Sequence, residues 1–347
     1  MTADKKSKGD FFNSSSFCIF ALETQAEGSL PPPAISIAMN FATPKNKYIK
    51  GIAHIGAFIT VAAWGTSFLS TKVLMTDGGL TPVEVYIYRF ILAYLILLAF
   101  TFKKIRSQSW RDELTFLLCG ICCGSLYFIT ENYALRLTST GNVSLLSCLS
   151  PIFTTFIMAL IFRQRIQLGV LVGSVIAFGG AALIIFSHGE SLEFNPAGDL
   201  LALSSAMSWA IYSVAIKPLL PRYNSMLITR KLFLYGVITA LPFLILQKEP
   251  LHLSVIFNFS QPQMMLNLLF LVVFCSIVAY LLWNEVMKYL GPVVTNNYLY
   301  LQPLVTMVAA FFILHEQIYL LGYIGCALII GGLVCTDKLK LGRDRLK

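Results

Sequence analysis

Charged residues are scarce in this sequence: Asp, Glu, Lys and Arg make up 12% of its 347 residues, while hydrophobic residues make up 56%. Soluble proteins carry about 25% charged residues, so this chain has too few to cover a surface that faces water. The shortage excludes the two or three soluble domains that the length alone would suggest. The uncharged runs approach the ~20 residues that cross a bilayer as a helix. The sequence therefore predicts an integral membrane protein.

Catalytic motifs are missing as well. The chain has no Walker loop, no Gly-x-Ser-x-Gly elbow and no Gly-rich dinucleotide turn, which excludes an ATP-driven pump for this chain alone. His315 and Glu316 begin like the helix of a zinc protease, but Tyr319 stands where the second His is needed. We expect no catalytic residue, no cofactor and no metal. The eight cysteines are interpreted as free thiols, including the Cys119-x-x-Cys122 pair, because they lie mostly in apolar segments.

Ten apolar segments are present, and they predict an all-α membrane protein with ten transmembrane helices. Gly and Pro mark the joints, for example at Asn195-Pro196 and Gly291-Pro292. So little chain lies outside these segments that function must reside among the helices. The predicted spans are 52–75, 82–102, 113–135, 139–162, 166–187, 199–220, 225–247, 263–287, 292–314 and 318–336.

The positive charges predict the orientation. With the N-terminus inside, nineteen Lys and Arg fall on inner segments and three on outer ends, as expected when cations are retained in the cytoplasm. We therefore interpret the net charge of +9 as topology rather than nucleic-acid binding. Both termini are expected in the cytoplasm, with the chain in the plasma membrane, or in the inner membrane if the source is bacterial.

Residues 1–50 lack sustained periodicity and predict a disordered cytoplasmic tail. Met39 offers a second plausible start, so residues 1–38 are hypothesised to be an over-long gene model. Residues 338–347 contain five Lys and Arg, which predicts a short basic cytoplasmic tail at the C-terminus.

The chain contains an internal repeat. A shift of 152 residues gives nine identities over the 32 positions 149–180, among them Pro151 with Pro303 and Gly173 with Gly325. Shifts of 145 and 141 pair Trp64 with Trp209 and Arg89 with Arg230. The halves, 51–187 and 199–337, hold five predicted spans each. Because five is odd, the second half must enter the membrane from the opposite side, which predicts an inverted-topology repeat.

Several short motifs recur in the order that is typical of one family. They include Trp64-Gly65-Thr66-Ser67 with Lys72, Arg89-Phe90, Pro151, Gly198-Asp199, Ser208-Trp209 and Pro303 with His315-Glu316. Over residues 50–337 the chain resembles EamA-type carriers of the drug/metabolite transporter superfamily. That resemblance implies export or exchange of small metabolites. One departure is Gln164, which stands where the family commonly has Glu and where the second half has Glu316.

Candidate site residues are polar or aromatic groups inside spans. Arg89 is costly in a bilayer unless it is paired or functional, and Glu131 lies at the same depth, below Lys72. We expect a cluster of these three, either as a fixed ion pair or as a site for a zwitterion or a proton. The other candidates are the paired Trp64 and Trp209, the repeat mates Asn132 and Asn284, and Glu285, Asn296 and Asn297.

Two functions remain open. One is a secondary carrier that moves a small metabolite, such as an amino acid, by alternating access. The other is a membrane-embedded enzyme acting on a lipid or a carrier-linked substrate. The repeat favours the carrier, since alternating access needs two equivalent halves. The expected partners are a small-molecule substrate and the bilayer, with a coupling proton or ion and a homodimer left open, and no nucleic acid.

Deletion of residues 1–38 is expected to leave membrane insertion and transport unchanged, because that segment can neither span nor pack. Membrane abundance and flux of the truncated protein provide the measurement. Loss of flux at unchanged abundance would contradict the interpretation.

Overall fold

The computed structural model describes residues 47–102, 107–138, 140–163, 165–187, 195–246, 251–253, 262–314 and 319–344. All of them belong to one compact unit, 46–347. The predicted tail up to residue 46, with Met39, lies outside the described residues, as do Gln164, His315 and Glu316. At Lys72 and Arg136 only the backbone is described.

Every regular element in the described ranges is a helix, as the sequence predicts, and no strand occurs within them. The first half contains α1 (Lys47–Thr76), α2 (Pro82–Thr101), α3 (Trp110–Gly120), a π-helical segment (Ile121–Ser125), α4 (Leu126–Leu137), α5 (Thr140–Ser147), α6 (Ser150–Ile161) and α7 (Leu168–Ser187). The second half contains α8 (Pro196–Ala215), α9 (Ser225–Leu246), α10 (Pro262–Phe270), a second π-helical segment (Leu271–Val278), α11 (Ala279–Leu290), α12 (Pro292–Asn297), a 3-10 turn (Tyr298–Tyr300), α13 (Leu301–Leu314) and α14 (Leu320–Asp344).

Seven stretches of the described chain are long and apolar enough to cross a membrane. Together they make this a multi-pass membrane protein. They are Tyr48–Ser67, Pro82–Thr101, Trp110–Ala134, Asn142–Ile161, Leu168–Ser187, Ser225–Leu246 and Pro262–Leu290.

Three of the ten predicted spans do not meet that description. The predicted span 199–220 corresponds to α8, which ends at Ala215, where turns follow. Since α8 has 20 residues, as many as α2, it is missing from the seven because it is less apolar rather than too short. The span 292–314 is broken into α12, the 3-10 turn and α13, and the apolar part of α14 runs only from Leu320 to Thr336. Helix α14 continues to Asp344, so most of the predicted C-terminal tail is helical, as are residues 47–50 of the predicted N-terminal tail.

Local chemistry marks three helix boundaries, two of which are predicted joints. Asn195 caps α8 by accepting from the Gly198 amide at 3.0 Å, with Pro196 in the first turn. Thr81 and Glu84 form a reciprocal capping box at the start of α2. Gly291 has φ +79°, a left-handed conformation that glycine tolerates, and it separates α11 from α12.

Helices α7 and α14, which the repeat relates, pack antiparallel through glycines. A methyl group on Gly180 would lie 2.6 Å from the Gly325 carbonyl oxygen, and one on Gly332 would lie 2.5 Å from that of Gly173. The 152-residue shift pairs Gly173 with Gly325 and Gly180 with Gly332. In the structure the contacts are crossed, because Gly180 meets Gly325 and Gly173 meets Gly332. Small residues allow this close approach in a bilayer, where dispersion and backbone contact hold helices together.

Helices α2 and α9 are also antiparallel. Near the end of α2, Thr101 accepts at its carbonyl from Arg230, near the start of α9, at 2.7 Å. Near the start of α2, the Glu84 carboxylate accepts from the backbone amide of His252, just beyond α9, at 2.7 Å. This pairing places one first-half helix along one second-half helix over their whole length.

Replacing Gly180 by Ala is expected to lower the melting temperature in detergent, because its Cβ would overlap the Gly325 carbonyl. Overpacking of this kind costs about 1–3 kcal/mol. Gly179→Ala is the matched control, since a methyl there meets nothing within 4 Å. Equal melting temperatures for the two variants would show that the α7 and α14 contact is looser than described.

Candidate functional site

An aromatic cluster lies where the two halves meet. We define it as Trp64, Trp209, Tyr280 and Trp283. The ring centroid of Trp64 is 5.4 Å from that of Trp209, 5.5 Å from Tyr280 and 4.9 Å from Trp283. Trp64 and Trp209 meet edge to face at 90°, a favoured geometry for aromatic rings. The repeat-related tryptophans therefore contact each other directly across the two halves.

The two π-helical segments supply backbone acceptors beside this cluster. A π-helical turn interrupts the regular α-helical hydrogen bonding and is frequent at functional sites. The Cys275 carbonyl accepts from Trp64 Nε1 at 2.9 Å, and the Cys122 carbonyl accepts from Ser208 Oγ at 2.7 Å. Each bond joins a helix of one half to the π-helical segment of the other. Sequence reasoning missed these segments, although the 152-residue shift does align Cys123 with Cys275.

The expected Arg89–Glu131 ion pair is wrong. Arg89 is buried in α2, and its Nε donates to Ser276 Oγ at 2.6 Å. Its Nη2 donates to the Cys275 carbonyl at 3.0 Å. The guanidinium also lies 5.0 Å from the ring centre of Phe90. The prediction rested on the equal depth of Arg89 and Glu131 in their spans. That depth does not reveal that the second π-helical segment, rather than α4, supplies the partners of Arg89.

Glu131 instead faces the aromatic side of the site. Its Oε1 accepts from the Tyr127 hydroxyl at 2.7 Å, and the Tyr127 ring lies 5.4 Å from that of Trp209. The residue is buried on α4 with no cation within ion-pair distance among the described side chains. A buried carboxyl with one hydroxyl partner can gain or lose a proton, or accept a cationic group.

The side-chain amides of Asn296, Asn284 and Asn132 differ in their hydrogen bonds. Asn296 Oδ1 accepts from Trp209 Nε1 at 2.8 Å, which joins α12 to the aromatic cluster. Asn284 is buried and bonds the Tyr212 hydroxyl at 3.3 Å and Thr229 Oγ1 at 2.9 Å. Its repeat mate Asn132 is half-buried and makes none of the described hydrogen bonds. The two equivalent amides therefore have different surroundings.

Glu285 and Asn297 lie apart from this site. Glu285 is half-buried and accepts from Ser225 Oγ at 2.6 Å, at the α9 start. Asn297 lines a separate cavity. The side chain of Lys72 lies outside the described residues. The structure thus brings together Trp64, Arg89, Glu131, Trp209, Asn284 and Asn296 of the ten candidates.

Charged groups cluster instead at the end of the bundle where α3 and α9 begin. We define the ionic network as Asp112, Glu113, Arg222 and Lys231. Arg222 donates to both Asp112 oxygens at 2.7 Å, and Lys231 pairs with Glu113, to which Tyr235 also donates at 2.5 Å. Sequence reasoning counted these cations only as topology signals. The adjacent acids at the start of α3 were the missed indication.

Tyr223 completes the network. Its hydroxyl donates to Asp112 Oδ2 at 2.6 Å and accepts from the Gln108 amide at 2.8 Å. Burial, and then the bond to Asp112, raise the pKa of Tyr223 above its ordinary value. The hydroxyl therefore keeps its proton at neutral pH and remains a donor.

Potential metal ligands and thiols are present among the described residues. No three His, Cys, Asp or Glu side chains there are placed to hold a metal ion. The seven described cysteines are free, including buried Cys119 and Cys122, in agreement with the interpretation from sequence.

Comparison with known proteins identifies the family. The EamA-like transporter family matches twice, over residues 51–186 and 196–336. The chain therefore belongs to the EamA-like transporter family, and the resemblance seen in the motifs is confirmed. The two matches correspond to two repeats of one unit.

Related proteins are named as transporters. An uncharacterized transporter of Archaeoglobus fulgidus is 28% identical over 292 residues, covering 82% of this chain and 96% of the relative. A "probable terminal-alkyne amino-acid exporter" of Streptantibioticus cattleyicolor is 27% identical, covering 83% and 94%. A solved crystal structure with a TM-score of 0.68 and 19% identity covers 83% of this chain and 97% of its own, which supports the fold.

We expect double-mutant cycles to show that the side chains of Arg89 and Ser276 interact. Arg89→Gln and Ser276→Ala should be coupled by about 1.5–3 kcal/mol, the range for a hydrogen bond to a charged group. Arg89→Gln with Glu131→Gln should give a smaller coupling, since no bond joins those two side chains. Thermal unfolding in detergent measures both cycles. A larger coupling to Glu131 would restore the ion pair and contradict the described geometry.

Proposed function

We propose that the protein is a secondary transporter that exports or exchanges a small metabolite, such as an amino acid or a related compound. It works by alternating access between two inverted five-helix halves that together cross the membrane ten times. The halves are 51–187 and 199–337, flanked by the tails 1–50 and 338–347. Both termini lie in the cytoplasm, and the chain resides in the plasma membrane.

The antiparallel pairing of repeat-related helices supports inverted topology. Helices α2 and α9 correspond through the Arg89 and Arg230 match, and they run in opposite directions. The same is true of α7 and α14, where Gly180 contacts Gly325, the repeat partner of Gly173, and Gly173 contacts Gly332, the repeat partner of Gly180. An inverted repeat requires this arrangement, whereas a parallel repeat would not produce it.

The contact between Trp64 and Trp209 is the observation that carries the proposal. Repeat-related side chains meet at the seam, and both flanking helices bond to π-helical carbonyls of the opposite half. At this seam, a few hydrogen bonds and ring edges join the halves. Such a seam can rearrange as one half rocks against the other, with the substrate site between them.

The ionic network supports closure at one end. Asp112 and Glu113 belong to the first half, while Arg222 and Lys231 belong to the second. In the proposed topology this end faces the cytoplasm. The network therefore holds the cytoplasmic end shut, and its separation accompanies substrate entry from inside.

The chemistry of the seam fits a zwitterionic substrate. Arg89 offers a guanidinium for a carboxylate, and Glu131 offers a carboxylate for an ammonium group or a coupling proton. The tryptophans provide apolar walls and π faces for a side chain or cation. The relative named as an amino-acid exporter agrees with this class. A partner copy of the chain is not required by the proposal.

Flux measurements test the proposal. Purified protein in proteoliposomes should move at least one member of an amino-acid panel chosen by metabolite profiling of cells with and without the protein. Trp209→Phe should lower that flux at least about tenfold, because it removes the indole bond to Asn296 and the edge contact with Trp64.

Trp110→Phe is the matched control, because Trp110 is 75% exposed at the start of α3. It should leave flux unchanged. Equal effects of the two substitutions, at equal abundance and melting temperature, would remove the tryptophan seam from the transport pathway.

A further inference from the structure

A separate cavity of about 210 Å³ lies between the first turns of α1, the α12 region and the middle of α14. Its polar side includes His54, whose Nδ1 is 2.5 Å from the Tyr298 hydroxyl. Its apolar side includes Leu333 and Val334. The lining residues are His54, Val294, Asn297, Tyr298, Leu333, Val334 and Thr336.

Asn297 is the unusual member of this lining. It is 2% exposed, and neither its amide oxygen nor its amide nitrogen has a hydrogen-bond partner among the described residues. Buried side-chain polar groups in folded proteins nearly always have one. An amide with two unsatisfied atoms beside a cavity therefore indicates a partner that arrives from outside the chain.

The repeat indicates what that partner is. The 145-residue shift pairs His54 with Asp199, and the 152-residue shift pairs Val294 with Asn142. In the structure, Asp199 Oδ1 accepts from Asn142 Nδ2 at 3.2 Å and from Thr138 Oγ1 at 3.1 Å. Near the start of α8, the second half thus supplies a carboxylate, which an amide of the first half binds. At the equivalent place in α1, the first half supplies the His54 imidazole and the second half supplies Val294, with the unpartnered amide of Asn297 three residues further along.

We infer that the cavity binds the carboxylate of a small organic molecule. Asn297 Nδ2 donates to it, and His54 Nε2 is a second donor in the tautomer whose Nδ1 accepts from Tyr298. Val294, Leu333 and Val334 contact the alkyl part. The identification of that molecule with the exported metabolite rests on the proposed function, in whose topology α1 begins and α14 ends at the cytoplasmic side. The cavity is then an entry subsite.

Ligand-observed NMR titration of the purified full-length protein tests the inference, with propionate as the probe and propionamide as its neutral counterpart. Propionate should bind at least about tenfold more tightly than propionamide. Asn297→Leu and His54→Leu should each weaken propionate binding roughly tenfold or more, the range for a lost hydrogen bond to a charged group. Asn267→Leu, a change to a half-exposed amide on α10, should have no effect.

A second variant guards against a simple folding defect. His54→Asp combined with Val294→Asn recreates the Asp199 and Asn142 pair in the cavity, and it should abolish propionate binding at an unchanged melting temperature. Equal binding of propionamide, unaltered binding in Asn297→Leu, or no propionate binding to the wild type would overturn the inference. Cavity-dependent binding without flux would refute only the proposed transport, while flux without such binding would refute only the subsite.

Discussion

The backbone carbonyls of the two π-helical segments impose the central constraint on this protein. Hydrocarbon offers backbone polar groups no water to bond, so side-chain donors from other helices are their available additional partners. The Cys122 and Cys275 carbonyls accept from the opposite half, from Ser208 and Trp64. Arg89 is a second donor to the Cys275 carbonyl. These bonds join the halves, and the aromatic cluster packs around them.

Strong and weak contacts are divided between different parts of the bundle. The glycine contact of α7 with α14 involves close backbone approach over two helical turns and suits a rigid pair. The ionic network at the start of α3 joins the halves through side chains only. Arg222 is partly exposed, whereas Asp112 and Lys231 are buried. An exposed ion pair is weak, but it is costly to remove one partner of a buried pair. The bundle thus combines a fixed helix pair with an end that can separate.

Much of the helical layout followed from apolar runs and joints. The run from Pro82 and the Asn195-Pro196 cap were readable because hydrophobicity and capping act locally. Trp64 and Trp209 were found because a duplicated sequence preserves them. The partners of Arg89 were not found, since depth along the chain says nothing about which helix face meets which neighbour. The break of 292–314 into three pieces also escaped, although Asn296, Asn297 and Pro303 stand beside it, because the segment as a whole has the length and hydrophobicity of one span.

The central claim is that the halves separate at one end while they close at the other. Double electron–electron resonance on spin-labelled pairs across the halves tests it most directly, with one pair at Ser109 and Asn224 and another at Asp77 and Leu251. Asp112→Asn with Glu113→Gln, which weakens the ionic network, should lengthen the first distance and shorten the second. Changes of the same sign, or a change at one end only, would contradict alternating access.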